Sequence, residues 1–237
     1  MSHPERIVPD TELPGVVSIH LKRYEFALPF CEGNAVLDAA CGVGYGSAFL
    51  ASAAASVVGI DVDPKTVAYA KERYAGTNCS FVVMNTERLG FADESFDTVC
   101  SFETIEHVDD PTAAIASFHR VLKPGGTLII STPHVTVTTR EPSNPFHKIE
   151  FSRADFSALL HERFADVELY GQRRVQTSAH RLAQRLDIFG LRRHLHFLRR
   201  GARLLGTNAT EDLGLDGLAI ERDNFTGATE IIAVCRR

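Results

Sequence analysis

Residues 35–46 read AVLDAACGVGYG, in which a short apolar run leads to an aspartate and then to a loop of glycines and other small residues. A helical pattern over residues 47–55 follows directly. Glycine adopts backbone angles that other residues avoid, and its missing side chain allows a ligand to approach the backbone. The N-terminus of the next helix offers unpaired N–H groups. This stretch predicts a strand, a tight turn and a helix that can bind a nucleotide-like ligand, although an ordinary strand-to-helix turn would read the same way.

The alternation of strand and helix continues along the chain. Helical patterns occupy residues 64–75, 111–122 and 152–164, and a proline stands at the first helical position of the earliest of them. Apolar runs predict strands at residues 35–39, 56–61, 79–84, 97–102, 127–131, 167–170 and 229–234. Repeated βα units form parallel sheets with helices on both faces. We therefore predict an α/β fold with a doubly wound, mostly parallel sheet of seven strands.

Four segments follow from this pattern. Residues 1–30 predict an irregular arm and a capping helix, because apolar residues recur at spacings of three and four over residues 16–30. Residues 31–171 form the predicted ligand-binding core, and residues 225–237 contribute its final strand. Residues 172–224 interrupt the alternation and predict a basic helical insertion or lid.

Composition limits the classes of protein to consider. The chain has 237 residues and a formal net charge of −5, which does not suit a molecule-wide polyanion binder. Its five cysteines are scattered without a C-x-x-C pair, which favours reduced, buried thiols and a cytoplasmic location. The first ten residues are polar and contain prolines, so no signal peptide is expected. No apolar run approaches the roughly 20 residues that span a bilayer.

Polar residues stand at the carboxyl ends of successive predicted strands. Asp61 ends the second strand, where a carboxylate can accept hydrogen bonds from both hydroxyls of a ribose. Asn85 and Thr86 follow the third strand, where an amide and backbone donors can read an adenine edge. The fourth strand ends at Phe102 and Glu103. Asp61 by itself would suit a dinucleotide-binding dehydrogenase equally well.

These motifs together resemble the class I S-adenosylmethionine-dependent methyltransferases, of the ubiquinone-biosynthesis-like group. Residues 37–44 are similar to the first family motif, with Ala40 where glycine is usual, and Asn85 stands where an aspartate is common. Residues 91–97 and the VLKPGG stretch at 121–126 match later motifs. The Lys-Pro-Gly-Gly turn and the Cys-Gly-x-Gly loop count against the rival reading, a Rossmann dehydrogenase.

The resemblance implies that S-adenosylmethionine is the cofactor. In similar methyltransferases the capping helix covers the cofactor, and an arginine or tyrosine of that helix holds the methionine carboxylate; the alternative for Tyr24 is packing on the sheet. The expected cofactor-binding residues are Arg23, Tyr24, Asp38, Ala40, Gly42, Gly44, Asp61, Val62, Asn85, Thr86 and Phe102.

Residues 103–107 read ETIEH, directly after the fourth strand. If they begin a helix, Glu103, Glu106 and His107 share one face, where two carboxylates and an imidazole can bind a divalent cation. His147 in the loop after the fifth strand offers a fourth ligand. The pairing resembles the metal site of small-RNA 2′-O-methyltransferases, while ETIEH alone resembles the ubiquinone-biosynthesis O-methyltransferases. That likeness implies Mg²⁺ or another divalent cation, which would bridge two substrate oxygens and lower the pKa of the acceptor hydroxyl.

A metal-free reading remains open for the same residues. Glu-His at this position is common in methyltransferases without metal, where Glu106 can act as a cap. His107 or His147 then serves as the general base. The candidate catalytic residues are accordingly His107, His147 and Glu103.

The predicted insertion carries many arginines, with Asp187 as the only acid between residues 173 and 203. A basic amphipathic helix can contact an anionic membrane surface or a phosphate-bearing substrate. A lid or a homodimer contact is the plainer expectation. Nucleic acid is not the expected partner, because aromatic residues are not interleaved with the arginines. These are Arg173, Arg174, Arg181, Arg185, Arg192, Arg193, Arg199, Arg200 and Arg203.

The predicted function is methyl transfer from S-adenosylmethionine to a small-molecule acceptor. A hydroxyl of a sugar or natural-product intermediate is expected by family analogy, which does not by itself determine the substrate. Three alternatives stay open. They are an N- or C-methyltransferase with a histidine base, an RNA 2′-O-methyltransferase and a non-catalytic cofactor-binding partner protein.

Overall fold

The computed structural model describes residues 7–9, 12–175 and 214–237. Five helices lie in these ranges: α1 Pro14–Cys31, α2 Tyr45–Leu50, α3 Pro64–Tyr74, α4 Pro111–Val121 and α5 Arg153–His161. The strands are β1 Ala35–Ala39, β2 Ser56–Asp61, β3 Cys79–Val83, β4 Phe96–Phe102, β5 Leu122–Pro133, β6 Asp166–Arg174, β7 Leu218–Arg222 and β8 Ala228–Arg236. All of them belong to a single eight-stranded sheet.

The strand order is β3-β2-β1-β4-β5-β8-β6-β7. The pairs from β3 through β5 are parallel, and those that involve β8, β6 and β7 are antiparallel. β1 lies between β2 and β4, so the order of strands reverses there. In a doubly wound sheet, the carboxyl ends of the strands at such a reversal flank a crevice where ligands bind. The predicted fold class is confirmed.

The predicted sheet of seven strands is one strand short. The additional strand, β7, lies inside residues 172–224, the predicted insertion, and pairs with β6 from Tyr170 opposite Arg222 to Arg174 opposite Leu218. Its sequence, LAIER, is too short for a distinct period-two pattern, and it is held by pairing across a long sequence separation. β6 also runs to Arg174, inside the predicted insertion. Of the arginine-rich segment predicted at residues 173–203, residues 176–203 lie outside the described residues.

The two faces of the sheet bury separate hydrophobic clusters. Side chains alternate along a strand, so the adjacent β1 residues Val36 and Leu37 enter opposite clusters. One cluster packs against α4 and α5, and the other packs against α1, α2 and α3. All five cysteines are buried and free, as predicted. No helix among the described residues is long and apolar enough to cross a membrane.

The capping helix α1 begins at Pro14 and packs across the carboxyl end of β4. The rings of Tyr24 and Phe102 meet edge to face, with centroids 5.0 Å apart. A Cβ added at Gly46, at the start of α2, would lie 2.0 Å from the Tyr24 ring. Glycine at that position therefore allows α1 to approach the loop between β1 and α2.

Candidate functional site

A cavity of about 630 Å³ opens at the carboxyl edge of the parallel strands. Its walls differ in chemistry from one end to the other. We call one end the glycine-loop half, lined by Tyr24, Ala40, Cys41, Gly42, Val43, Tyr45, Asp61, Val62, Met84, Asn85, Thr86 and Phe102. We call the other end the histidine half, lined by Glu103, Thr104, Glu106, His107, Asp109, Pro133, Asn144, His147 and Lys148.

The loop between β1 and α2 depends on left-handed backbone. Ala40, Gly42 and Gly44 have φ angles of 62°, 56° and 90°. A Cβ at Gly44 would lie 2.8 Å from both Ala70 and the Phe81 ring, so this glycine is required by packing as well as by backbone angle. A Cβ at Gly42 would meet no atom within 4 Å, because Gly42 borders the cavity. The loop thus leaves an open backbone cradle beside β1.

Asp61 holds that loop against the end of β2. Its Oδ2 accepts a hydrogen bond from the Gly42 N–H at 3.2 Å, and its Oδ1 accepts one from the Asp63 N–H at 2.9 Å. The side chain lines the cavity, where a carboxylate can also accept from ligand hydroxyls. Asn85, which lines the cavity beyond β3, accepts from the Glu87 N–H through Oδ1 at 2.8 Å.

Asp38 lies beneath the loop and is only 1% exposed. Its Oδ2 accepts from Ser47 Oγ at 2.6 Å, and the Tyr24 hydroxyl lies 3.4 Å from both of its oxygens. Burial raises the pKa of Asp38 to about 7, against the opposing effect of these hydrogen bonds. Asp38 was expected to bind cofactor, but its geometry is that of a positioning residue that joins β1, α1 and α2.

The predicted cofactor residues therefore divide into two sets. Tyr24, Ala40, Gly42, Asp61, Val62, Asn85, Thr86 and Phe102 line the cavity. Arg23, Asp38 and Gly44 lie behind the wall formed by the described residues. Arg23 is 1% exposed, donates to Gln172 Oε1 at 3.3 Å and lies 3.1 Å from His20 Nδ1. Burial, followed by the Arg23 charge, lowers the pKa of His20.

The ETIEH segment forms a turn, so the condition for a shared helix face, a helix that begins at Glu103, is not met. Glu103 has a φ angle of 50°, outside the right-handed helical region, and the His107 N–H donates to the Thr104 carbonyl at 2.9 Å. Ser131 of β5 donates to Glu103 Oε1 at 2.7 Å and accepts from the Glu103 N–H at 3.2 Å. These bonds turn Glu103 toward β5, away from the face that it was expected to share with Glu106 and His107.

Three of the four predicted ligand residues do meet. Ligand atoms of Glu106, His107 and His147 all lie within 4.8 Å of one another, and Glu103 is not in this group. The two imidazole rings are edge to face with centroids 4.9 Å apart, and His107 Nε2 lies 4.0 Å from Glu106 Oε1. We call these three residues the Glu–His–His cluster.

Each histidine of the cluster is oriented through its Nδ1 atom. His107 Nδ1 lies 3.0 Å from the Phe146 carbonyl oxygen, and His147 Nδ1 lies 2.7 Å from Glu150 Oε1. Because both partners are acceptors, each Nδ1 carries the proton, and each Nε2 presents a lone pair. The Nε2 atom of His147 accepts from Asn144 Nδ2 at 2.9 Å. Such outer partners are typical of histidines that ligate metals.

Glu106 is fully buried and incompletely hydrogen-bonded. Its Oε2 accepts from Thr132 Oγ1 at 3.1 Å, whereas its buried Oε1 has no hydrogen-bond partner among the described residues. Burial, and then repulsion from Glu103, raise the pKa of the Glu106 carboxyl well above its usual range. A buried polar atom without a partner is costly, and Glu106 lines the cavity, where a bound ligand can supply the missing hydrogen bond.

Sequence reasoning missed the residues that orient this cluster. Ser131 and Thr132 bond Glu103 and Glu106 across 28 and 26 residues, so these contacts have no local sequence signal, whereas Asn144 precedes His147 by only three residues. Glu150 could have been found, because it follows His147 by three residues in the same loop.

Comparisons with known proteins add family information to this geometry. Residues 37–130 match a family described as a methyltransferase domain. A protein of Mycolicibacterium smegmatis named "Probable S-adenosylmethionine-dependent methyltransferase" is 38% identical over 141 residues, which are 58% of this chain and 54% of that protein. Phosphoethanolamine N-methyltransferase 1 of Arabidopsis thaliana is 36% identical over 146 residues, 59% of this chain and 27% of that protein. The matched region spans only about half of the first relative and about a quarter of the second.

A solved structure matches over nearly the whole chain. The S-adenosylmethionine-dependent methyltransferase from Mesorhizobium loti covers 92% of this chain and 98% of its own, with a TM-score of 0.60 and 15% identity. At that identity the likeness establishes the fold alone. The sheet and its helices are therefore those of the Rossmann-like α/β methyltransferases.

Proposed function

We propose that this chain, whose residues 37–130 match a methyltransferase domain, is an S-adenosylmethionine-dependent methyltransferase that methylates a hydroxyl of a small acceptor, such as a sugar or natural-product intermediate. The domain match and the named relatives support the reaction type. The observation that carries the proposal is a single cavity in which Gly42 and Asp61 line one half while the Glu–His–His cluster lines the other.

The glycine-loop half fits the cofactor. Gly42 presents backbone without a side chain, and the Asp61 carboxylate is available to ribose hydroxyls beside it. Asn85 and Thr86 would contact the adenine, and Tyr24 would cover the methionine portion. When bound, S-adenosylmethionine supplies an electrophilic methyl group on a sulfonium.

The histidine half would prepare the acceptor. His107 Nε2 accepts the proton of the acceptor hydroxyl, while the Nδ1–H bond to the Phe146 carbonyl keeps the ring oriented. The acceptor oxygen then forms a bond to the methyl carbon, and the bond from that carbon to sulfur breaks with its electron pair going to sulfur. Glu106 Oε1, which lacks a partner among the described residues, can receive a hydrogen bond from the acceptor.

The same donors also fit a divalent cation. Two imidazoles and one carboxylate form a set with open positions for substrate, and it suits Mn²⁺, Fe²⁺, Co²⁺ or Zn²⁺ better than Mg²⁺. Such an ion would polarise an acceptor oxygen and lower the pKa of its hydroxyl. Binding at His147 Nε2 would require the Asn144 side chain to turn away from it.

The test measures release of S-adenosylhomocysteine from S-adenosylmethionine over a panel of hydroxyl acceptors. Transfer to a hydroxyl supports the proposal. Loss of activity in EDTA with recovery in Mn²⁺ or Zn²⁺ supports the metal-assisted route, whereas full activity in EDTA leaves His107 as the base. Normal cofactor binding without transfer to any acceptor would contradict an enzyme and favour a cofactor-binding partner protein.

Methylation of an amine is a second candidate, favoured by the similarity to the protein named phosphoethanolamine N-methyltransferase. An amine acceptor needs only removal of its proton, which His107 could perform without metal. Including ethanolamine and phosphoethanolamine in the panel separates this candidate from O-methylation.

A further inference from the structure

The histidine half carries an excess of acidic groups. Glu103, Glu106 and Asp109 line this part of the cavity, and Lys148 is the only lysine or arginine that lines it within residues 7–9, 12–175 and 214–237. In the glycine-loop half Asp61 adds a further carboxylate at the wall.

The single cation of the wall is already paired. Lys148 Nζ lies 2.5 Å from Asp109 Oδ1, and both residues border the cavity. The Lys148 N–H also donates to the Glu106 carbonyl at 2.7 Å, which keeps this part of the loop close to the ETIEH turn. An exposed ion pair adds little stability, but it cancels the net charge that an anion would meet.

A second cation lies nearby but does not border the cavity. Arg23 is buried behind the wall and is engaged with Gln172 and His20. Burial raises the pKa of Glu106 and of Glu230, and the Arg23 charge partly opposes this rise because it favours the ionised carboxylates. Among the described residues, the contacts of its guanidinium are with Gln172 and His20, and it does not line the cavity.

The buried Glu106 Oε1 atom gives independent information on which chemical groups the acceptor presents to the histidine half. This atom lacks a partner among the described residues and needs a hydrogen-bond donor or a cation. A phosphate or carboxylate oxygen offers neither to the ionised Glu106 carboxylate, and it would also meet the Glu103 and Asp61 carboxylates at the wall.

We infer that the histidine half selects acceptors that are neutral or cationic around the reacting group, and that it disfavours acceptors carrying phosphate or carboxylate there. The inference rests on the proposed function and narrows its substrate class. It also separates this chain from the relative named for phosphoethanolamine, because the described wall offers no unpaired lysine or arginine to a phosphate.

Calorimetry on protein loaded with S-adenosylhomocysteine tests the inference without turnover. The probes are two matched pairs, ethanolamine with phosphoethanolamine and glucose with glucose 6-phosphate. We expect the phosphate-free member of at least one pair to bind about tenfold more tightly than its phosphorylated partner. Equal, tighter or equally undetectable binding of the phosphorylated members overturns the inference.

The variant Asp109→Asn tests whether the Lys148–Asp109 ion pair causes the preference against phosphate. Removing the Asp109 charge leaves Lys148 facing the cavity as a cation, so the preference against phosphate should shrink by roughly threefold to tenfold. Asp93→Asn is the matched control, because Asp93 pairs with Arg120 at 2.7 Å and neither residue borders the cavity. It should leave the preference unchanged, and an unchanged preference in Asp109→Asn as well would overturn the role of the pair.

Methyl transfer measured on the same probes keeps the two proposals apart. Phosphate discrimination without any S-adenosylhomocysteine release counts against the proposed function and leaves the charge selection standing. Release that is faster with a phosphorylated probe supports the methyltransferase and overturns the selection.

Discussion

The two halves of the cavity are held together over different distances along the chain. In the glycine-loop half, Asp61 accepts from the Gly42 N–H across 19 residues, and Ser47 donates to Asp38 across nine. In the histidine half, Thr132 reaches Glu106 across 26 residues, and Phe146 orients His107 across 39. These contacts of the glycine-loop half lie within one βαβ unit, while those of the histidine half need a turn, a neighbouring strand and a loop to meet.

The halves also differ in how completely their polar groups are paired. In the glycine-loop half, both carboxylate oxygens of Asp61 accept backbone hydrogen bonds. In the histidine half, Glu106 is buried with a raised pKa and an oxygen without a partner among the described residues. Perturbed, unsatisfied groups of this kind cluster at sites of chemistry. We therefore expect substitutions in the glycine-loop half to weaken cofactor binding and substitutions in the histidine half to slow methyl transfer.

The largest expected effect belongs to the histidine half. His107→Ala should lower the rate of methyl transfer by about 10²- to 10⁴-fold, because it removes the proposed base. The dissociation constant for S-adenosylmethionine should change by less than about threefold, since His107 lies at the other end of the cavity. Rate and calorimetry measured on the same preparation check both numbers.

His161→Ala is the matched control for this variant, because His161 is exposed on α5 and its Nδ1 lies 2.8 Å from the Ser157 carbonyl of the same helix. It should retain full activity. If His107→Ala were to lose cofactor binding and rate together, the two halves would not be separable.

Asp61→Asn should produce the converse pattern. The neutral amide keeps the size of the side chain but accepts less strongly from ribose hydroxyls and from the Gly42 N–H. Charge-assisted hydrogen bonds contribute about 1.5–3 kcal/mol, so the dissociation constant for S-adenosylmethionine should rise by roughly 10- to 100-fold. At saturating cofactor the rate should recover most of its value, and a persistent large loss of rate would contradict the division between halves.

Gly46→Ala tests how closely α1 covers the glycine-loop half. The added Cβ would lie 2.0 Å from the Tyr24 ring, and overpacking of this kind costs about 1–3 kcal/mol of unfolding free energy. Urea unfolding measures the loss. Gly76→Ala is the control, because a Cβ at Gly76 meets no atom within 4 Å, and an equal effect in the two variants would argue against the contact with Tyr24.

The last expected effect concerns the pH dependence of stability. The pKa of Asp38 is about 7 in the folded protein, above its usual value of 3.8, so the folded state keeps a proton that the unfolded state has lost between these values. This carboxyl therefore makes the free energy of unfolding fall as the pH rises from about 4 to about 7.

Asp38→Asn removes that ionisation, and its stability relative to the parent protein should increase by about 2–3 kcal/mol between pH 5 and pH 8. Unfolding curves at the two pH values give the difference. Asp93→Asn, an exposed substitution, should show no comparable change. A parallel pH dependence in Asp38→Asn and the parent protein would rule out a raised pKa at Asp38.

Sequence reasoning succeeded where the structure is local. The apolar run at residues 35–39, the glycine loop and Asp61 predicted a strand, a turn and a ligand-facing carboxylate, and the matching elements are β1, the left-handed loop and the end of β2. Periodicity and glycine placement act over a few residues, so they are readable without tertiary contacts. The strand β7 escaped because a short edge strand has little pattern of its own.

The sequence by itself determined that this chain forms a doubly wound α/β sheet with a nucleotide-type loop, and it predicted that Glu103, Glu106, His107 and His147 lie near one another. Only the tertiary structure decided that Glu103 turns to Ser131, and that the remaining three residues form the cluster. The physical reason is that Glu103 can satisfy its carboxylate either by joining that group or by bonding a strand 28 residues away. Hydrogen bonds of such separation depend on the folded sheet, which no local pattern encodes.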